Sequence, residues 1–435
     1  MKKNTKKTAI FITSLILGII LGFLGVTYVI FAVNLKDTQF GFLPSDTLNP
    51  HRQLKFKEDG TFKIIQVADL QEAFVTSNLT ADFLRDIART EKPDLFVLTG
   101  DNIRDVKTNA DDESNRMLVR KSIDAFMNVF DMIYLEYGIP VTMVLGNHDS
   151  EDNSEYMTRK DHFEWYAFHE SFIGAAIPEA DEGAVSKNGE HFGSHNLVVY
   201  DKNGDEPLFN IWLFDSGDYF PNTEGYANVG FSYSGVQKPQ IDWFKRTNAQ
   251  LDYLPSIAFQ HIIVPEVYSK LEETDKGGFS FELFKYDEDG NLVLENGEPV
   301  AVKHNVTLPE GFEGELNEYP CPGKFNEGQY TALSEVGNVH ALFVGHEHEN
   351  TFELRFEEET DIVNTPTGGF GSYGKARLRG VRVIELDENA LDSYQTSLIF
   401  YKDYYSGPRQ RARLYLYETL RYWANPLDDL LFRHN

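Results

Sequence analysis

The chain is poor in cysteine and poor in positive charge. Its 435 residues contain a single cysteine, Cys321, so no internal disulfide can form, and metal sites built from several thiolates are excluded. Stability has to come from a packed core. Lys and Arg number 40 against 68 Asp and Glu, which leaves a formal net charge of -28 at pH 7. So acidic an exterior repels nucleic acid, and roles in binding DNA or RNA drop out. A phosphate-bearing substrate would need a local positive charge to draw it in, and bound metal ions can supply one. Internal repeats and low-complexity tracts are also missing. What the chain does have is 41% hydrophobic and 14% aromatic residues, enough to bury a large core as one α/β domain with insertions.

Ala9 to Val33 is an uncharged apolar stretch of 25 residues, long enough for a helix of roughly 37 Å at about 1.5 Å per residue. Lys2, Lys3, Lys6 and Lys7 precede it. The positive-inside tendency therefore makes residues 1–8 a short cytoplasmic tail, 9–33 a transmembrane signal anchor, and the remainder extracytoplasmic at the cell membrane. Secretion after signal-peptide cleavage is the alternative, but the stretch is longer than an h-region of about 7–15 residues and ends without a small-x-small site. Residues 34–54 read as a stalk, 55–406 as the folded domain, and 407–435 as a C-terminal helical segment.

Within the domain, Phe62 to Ala68 is a β-rich run, Leu79 to Thr90 suits a crossover helix, and Leu95 to Thr99 is the next strand, together a βαβ unit. Ile123, Phe126, Phe130, Ile133 and Tyr137 recur at helical spacing and predict a helix over Asn115 to Tyr137, with Val141 to Leu145 as the third strand. His195 to Tyr200 and Leu208 to Asp215 flank an Asn203-Gly204 hairpin signal. Lys238 to Leu254 reads as a helix with Pro239 in its first turn. Ile257 to Gln260 is a strand, and residues 270–328 form an acidic surface insertion. Val339 to Val344 and runs near Thr351 to Arg355, Asp361 to Val363 and Val381 to Leu386 read as further strands, antiparallel in this region.

The chemistry sits where these runs end. Asp69, Gly100-Asp101-Asn102, Gly146-Asn147-His148-Asp149, His261 and Gly345-His346-Glu347-His348 each follow an apolar β-like run, where an α/β sheet presents its ligands together. Carboxylate, amide and imidazole groups so gathered suit two metal ions about 3.5–4 Å apart, which ionise a water and clamp phosphoryl oxygens. Asp101 is the natural bridge, because a carboxylate has two oxygens to share. Asp69 and His348 would complete the first metal site, and Asn147, His261 and His346 the second. His148 would project toward the substrate, stabilising phosphoryl oxygens or protonating the leaving alkoxide.

These stretches resemble calcineurin-like metallophosphoesterases, and more closely the purple-acid-phosphatase-related branch found in plants and yeast. The resemblance rests on LTGDNI (Leu98 to Ile103), LGNHDSE (Leu145 to Glu151), FDSGDY (Phe214 to Tyr219), QHIIVPE (Gln260 to Glu266), VGHEHEN (Val344 to Asn350) and GGFGSYGKARLRGVRVIEL (Gly368 to Leu386). It implies an α/β fold, a four-layer αββα sandwich of two mixed β-sheets flanked by helices, with a dinuclear site at its edge. It also implies hydrolysis of phosphate esters by a metal-bound hydroxide, with two divalent ions (Mn, Fe, Zn or Mg).

The first motif departs from the family. Where Asp-x-His is usual, this chain reads Asp69-Leu70-Gln71. Gln71 would then bind a hard ion through its oxygen, leave Glu72 to be recruited, or leave that site weak until substrate arrives. Arg104 stands where purple acid phosphatases carry a metal-binding Tyr, and is either a substrate-phosphate contact or a surface residue. Three functions follow from the site: an extracytoplasmic phosphatase or phosphodiesterase; a hydrolase of nucleotide or lipid pyrophosphate bonds; or a binding ectodomain that has lost turnover, for which Gln71 is the only support.

Overall fold

A computed structural model describes residues 53–415 apart from 73–75, 105–110, 152–155, 175–180, 187–188, 220–232, 275–278, 285–292, 296–297, 324–325, 409–410 and 413. The tail, the anchor, nearly all of the stalk and the chain beyond Tyr415 lie outside the described residues. Among the described residues, no helix is long and apolar enough to cross a membrane.

Two mixed sheets form the centre. One has five strands in the order Gln395–Phe400, Gly380–Asp387, Thr61–Val67, Leu95–Thr99, Val141–Val144. The last three run parallel, as the βαβ reading requires. The other has seven, in the order Leu54–Lys55, His195–Tyr200, Pro207–Leu213, Ser256–Phe259, Val339–Val344, Asp361–Asn364, Glu353–Leu354. Leu54, at the end of the stretch read as a stalk, already pairs with Val199.

The four layers follow from side-chain alternation, because successive residues of a strand face opposite sides of its sheet. Phe62 and Ile64, Leu95 and Val97, Phe209 and Ile211, Ile257 and Phe259, and Ala341 and Phe343 share one buried cluster between the sheets. Their neighbours Ile65, Val67, Phe96 and Leu98 pack outward with Leu84, Ile87, Phe126 and Phe130 of the helices Asn78–Glu91 and Asp112–Tyr137. On the far side, Trp212, Ala258, Leu342 and Val344 pack with Ile241 and Phe244 of Lys238–Gln250 and Leu333 of Gln329–Glu335. The αββα sandwich expected from the resemblance is therefore present.

Some elements differ from the sequence reading. The long helix starts three residues early because Asp111 caps it, its carboxylate accepting from Ser114 N at 2.9 Å. The helix after Gln237 stops at Gln250, and Asp252 and Tyr253 then turn the chain through left-handed backbone (φ 52° and 55°). Val339–Val344 and Asp361–Asn364 pair in parallel, not antiparallel; alternation reveals which face is buried but not the strand direction. Gln395–Phe400 went unread, since only part of it is covered. The insertion is not wholly a surface excursion. It forms a three-stranded antiparallel sheet (Glu272–Glu273, Ala301–Thr307, Phe279–Phe284) and then returns to lie on the Gly345–Thr351 loop. There Glu315 N donates to Thr351 Oγ1, Asn317 N to Asn350 Oδ1, and Cys321 N to Glu347 Oε1 (2.9, 2.7 and 2.6 Å).

Candidate metal centre

Asp69, Asp101, Asn147, His261 and His346 all lie just past the C-terminal ends of parallel strands, and Asp69, Asp101 and Asn147 come from one sheet while the two histidines come from the other. The turns that aim them are tight. Asp69, Asp101 and His346 adopt left-handed backbone (φ 55°, 50° and 74°), a strain of about 1–3 kcal/mol each that persists only where the surroundings impose it. Here the restraints are hydrogen bonds between the loops: Gln71 N donates to Asp101 O (2.8 Å), and His346 N donates to Asp69 Oδ2 (2.9 Å). Space is equally restricted. A Cβ on Gly146 would sit 2.1 Å from Asp101 Oδ1, so only glycine lets that carboxylate lie where it does.

Two imidazoles are oriented by the same device. His261 Nδ1 lies 2.8 Å from Thr99 O, and His348 Nδ1 lies 3.0 Å from Tyr373 O. A carbonyl only accepts, so each ring carries a proton on Nδ1 and turns Nε2 into the cluster, where a metal ion could take the place of any proton there. His261 Nε2 then faces Asn147 Oδ1 at 3.1 Å, Asp101 Oδ1 at 3.3 Å and His346 Nδ1 at 3.3 Å. His348 Nε2 faces Asp69 Oδ1 at 3.3 Å. Ligand atoms of Asp69, Asp101 and His261 all fall within 4.8 Å of one another. Acceptors crowded together with so few donors repel one another unless a cation stands among them, and this donor set of carboxylate, amide oxygen and imidazole suits divalent Zn, Mn, Fe or Mg.

The electrostatics point the same way. Burial alone would depress the His261 imidazole, but the Asp101 carboxylate beside it pushes it up to about 10. Burial opposes ionisation of Asp101, yet His261 and His148 hold it well below the usual carboxylate range. The cluster is a sink for positive charge, as a chain of net charge -28 needs if it is to bind an anion.

Gln71 joins the cluster through its amide nitrogen, Nε2 donating to Asp101 Oδ2 at 3.0 Å. Its neighbour Glu72 is not recruited. That carboxylate accepts from Ser77 N (2.7 Å) and from the Thr80 hydroxyl at the start of the Asn78–Glu91 helix. Arg104 is half-buried and held through its backbone N–H to Glu72 O (2.8 Å).

His148 lies beside the metal ligands with 35% of its side chain exposed. Its backbone N–H donates to Asp101 Oδ1 (2.8 Å), its Nε2 stands 4.0 Å from Asp101 Oδ2, and its Nδ1 lies 2.5 Å from Glu151 Oε2. Burial would lower this imidazole, but Asp101 and Glu151 raise it to about 9. Two supports of the loop escaped notice as individual residues. Arg159, fully buried, pairs with both oxygens of Asp215 (3.1 and 2.5 Å) and donates to Gly146 O at 3.0 Å. Glu151, meanwhile, accepts from Tyr219 OH at 2.8 Å. Glu151 and Tyr219 lie within LGNHDSE and FDSGDY, and the three-residue step from His148 to Glu151 was the available signal. His191 and His195 do not line this centre: they bond Asp215 O and Thr142 Oγ1 instead (both 2.9 Å).

This arrangement carries the signature of a known group. Residues 62–246 match the calcineurin-like phosphoesterase family, and the chain carries a domain of that family. Among curated proteins it is similar to "Probable inactive purple acid phosphatase 14" of Arabidopsis thaliana, at 29% identity over 77% of each chain. It is also similar to "Phosphatase DCR2" of Saccharomyces cerevisiae, at 25% identity over 80% of this chain and 55% of that one. Among solved structures, it resembles a dimetal phosphatase from Danio rerio with a TM-score of 0.42 and 13% identity, over 78% of this chain and 99% of the other.

Proposed function

We propose that this chain is a membrane-anchored, extracytoplasmic phosphoesterase that works with two divalent metal ions. The convergence of Asp69, Asp101, Asn147, His261, His346 and His348 beside a projecting His148 carries the reading. The bound ions would supply an ionised water and neutralise phosphoryl charge. Asp69 and His348 would hold one, Asn147, His261 and His346 the other, with Asp101 between them. The protein's own contribution is orientation and a proton. Left-handed turns fix the carboxylates, carbonyls fix the imidazole tautomers, and His148 offers Nε2 to the leaving oxygen. Arg104, three residues beyond Asp101, is assigned to a substrate phosphate oxygen. The acidic exterior suits a small ester, not a nucleic acid.

Gln71 favours a second reading. Where the family's imidazole would give a lone pair to a metal, the Gln71 amide donates to Asp101 Oδ2, and the Arabidopsis relatives carry "inactive" in their names. A binding ectodomain with a weakened first metal site would look the same. One assay separates the two. Full-length chain in detergent is stripped of metal, then supplied with Mn²⁺, Zn²⁺, Fe²⁺ or Mg²⁺ and offered aryl and alkyl phosphate monoesters, a diester and a nucleoside diphosphate. Metal-dependent turnover is expected. Asp101→Ala should abolish it, and His148→Ala should cut kcat about 10²- to 10⁴-fold with metal content intact. No turnover on any ester with any metal would sink the phosphoesterase reading, and preference for the diphosphate would select pyrophosphate cleavage. Carbonate-resistant sedimentation with membranes, and digestion of the domain by protease added outside intact cells, test the anchor and its orientation.

A further inference from the structure

After His148 the loop continues with Asp149, Ser150 and Glu151, and the first two are already committed. Asp149 accepts from Asn102 N and Ile103 N on one oxygen and from Gly146 N on the other (3.0, 3.1 and 2.7 Å), tying two ligand loops together. Ser150 Oγ accepts from Arg159 (2.9 Å). Of the three, Glu151 is the one that turns to the imidazole, with Oε2 2.5 Å from Nδ1. Its other oxygen accepts from the hydroxyl of Tyr219 at 2.8 Å.

Tyr219 is well placed to hold a fixed direction. Its ring is buried and stacks on Tyr233 (centroids 5.3 Å apart, 25° between planes), which in turn meets the edge of His346 at 4.4 Å. Its hydroxyl has one proton to give and lone pairs to receive. The proton goes to Glu151, and the oxygen lies 3.4 Å from Asn147 Nδ2. Since the Asn147 nitrogen turns to Tyr219, the Asn147 oxygen turns to His261 Nε2.

We infer that Glu151 and Tyr219 are a positioning pair: they fix the His148 ring as a proton donor and, through the same hydroxyl, fix which end of the Asn147 amide meets the metal. This rests on the phosphoesterase reading above. In the step it serves, the oxygen of an ionised water bonds to phosphorus as the P–O bond to the leaving group breaks, and the electron pair of the broken bond stays on the leaving oxygen. The Nε2–H bond of a cationic His148 breaks as the O–H bond forms. The imidazole is left neutral with its remaining proton on Nδ1, held by Glu151, and solvent restores the Nε2 proton. Such help matters for a poorly acidic leaving alcohol and little for an acidic phenol, so the pair is a device for alkyl phosphate esters.

The test compares 4-nitrophenyl phosphate with an alkyl ester such as glycerol phosphate, using full-length chain loaded with Mn²⁺. For Glu151→Gln we expect kcat on the alkyl ester to fall about 10- to 100-fold, with KM and metal content held and the aryl ester losing at least ten times less. Glu151→Asp should recover part of the loss, and His148→Ala should show the same discrimination between esters. Tyr219→Phe should weaken metal binding as well, since it frees the Asn147 amide to rotate. Equal loss on both esters, or no loss on the alkyl ester, overturns the inference. A second readout does not need turnover: ¹⁵N spectra of the His148 ring in metal-loaded protein, taken at a pH where the ring is neutral, should show the remaining proton on Nδ1 in the parent chain and a changed tautomer balance in Glu151→Gln. An unchanged balance overturns the pair even if the protein is active. A changed balance in a protein without turnover would instead fault the phosphoesterase reading.

Discussion

At the scale of single residues, Gln71 is the position at which the two proposed metal sites would differ. Its backbone is left-handed (φ 44°) and its amide occupies an oxygen of Asp101, so it both withholds a ligand and competes for the bridge. Replacing it with histidine should add an imidazole at the first site. Gln71→His is expected to tighten one of the two ions about tenfold or more, read by calorimetric titration of metal-free protein, with the other ion unchanged. Equal affinity before and after would place Gln71 outside the metal's reach. Most of the other residues that converge here were legible, because glycine, an apolar run and a ligand-type side chain coincide in sequence. Glu151, Tyr219 and Arg159 were not, since an orienting role leaves no pattern until the loops are folded together. Glu72 misled for the reverse reason: adjacency in sequence suggested a ligand, and the helix start claimed its carboxylate.

Elements tell a similar story at their ends. The helices Asn78–Glu91, Asp112–Tyr137 and Lys238–Gln250 were readable and the shorter Arg159–Ala167 and Gln329–Glu335 were not, while the limits of the longer ones depended on Asp111 as a cap and on the left-handed turn at Asp252 and Tyr253, which spacing does not encode. One join between elements makes a pH prediction away from the metal centre. His169, after the Arg159–Ala167 helix, lies 2.8 Å from Asp131 and 3.4 Å from Asp124 on the Asp112–Tyr137 helix. Burial would lower this imidazole, but the two carboxylates raise it to about 9. The folded state therefore holds the proton more tightly than the unfolded chain, whose imidazole titrates near 6.5 (approximately). Its contribution, on the order of 1–3 kcal/mol, is complete below about pH 6.5 and fades as pH rises through about 9. Melting temperature followed against pH should show the gap between the parent chain and His169→Gln closing over that window. A gap that stays constant would assign the difference to packing.

For the whole molecule, the layered fold was expected from the family resemblance, whereas strand direction and the path of the insertion were decided by contacts remote in sequence. The two sheets meet mostly through hydrocarbon. Below the metal centre they meet through polar groups instead. Gln66 donates to Val344 O (3.2 Å) and accepts from Thr365 Oγ1 (2.6 Å), and buried Arg382 reaches Thr365 Oγ1, Glu353 Oε1 and Asn364 O (3.0, 2.6 and 3.0 Å). Removing the guanidinium would take the partner from Glu353 Oε1 and leave Arg355 on Oε2 (3.0 Å) as its remaining cation, a loss below the roughly 3–5 kcal/mol of a fully broken buried pair. Arg382→Leu should lower the urea midpoint accordingly, and a change under about 1 kcal/mol would show that the pair is dispensable.

That polar seam has a mechanical meaning. Apolar faces can slide past one another at little cost, but hydrogen bonds with fixed directions cannot. Asp101 belongs to one sheet and His261 and His346 to the other, so any shear between the sheets would pull the ligands apart. The bonds of Gln66 and Arg382 act as dowels across the joint, keeping the two halves of the candidate metal centre in register.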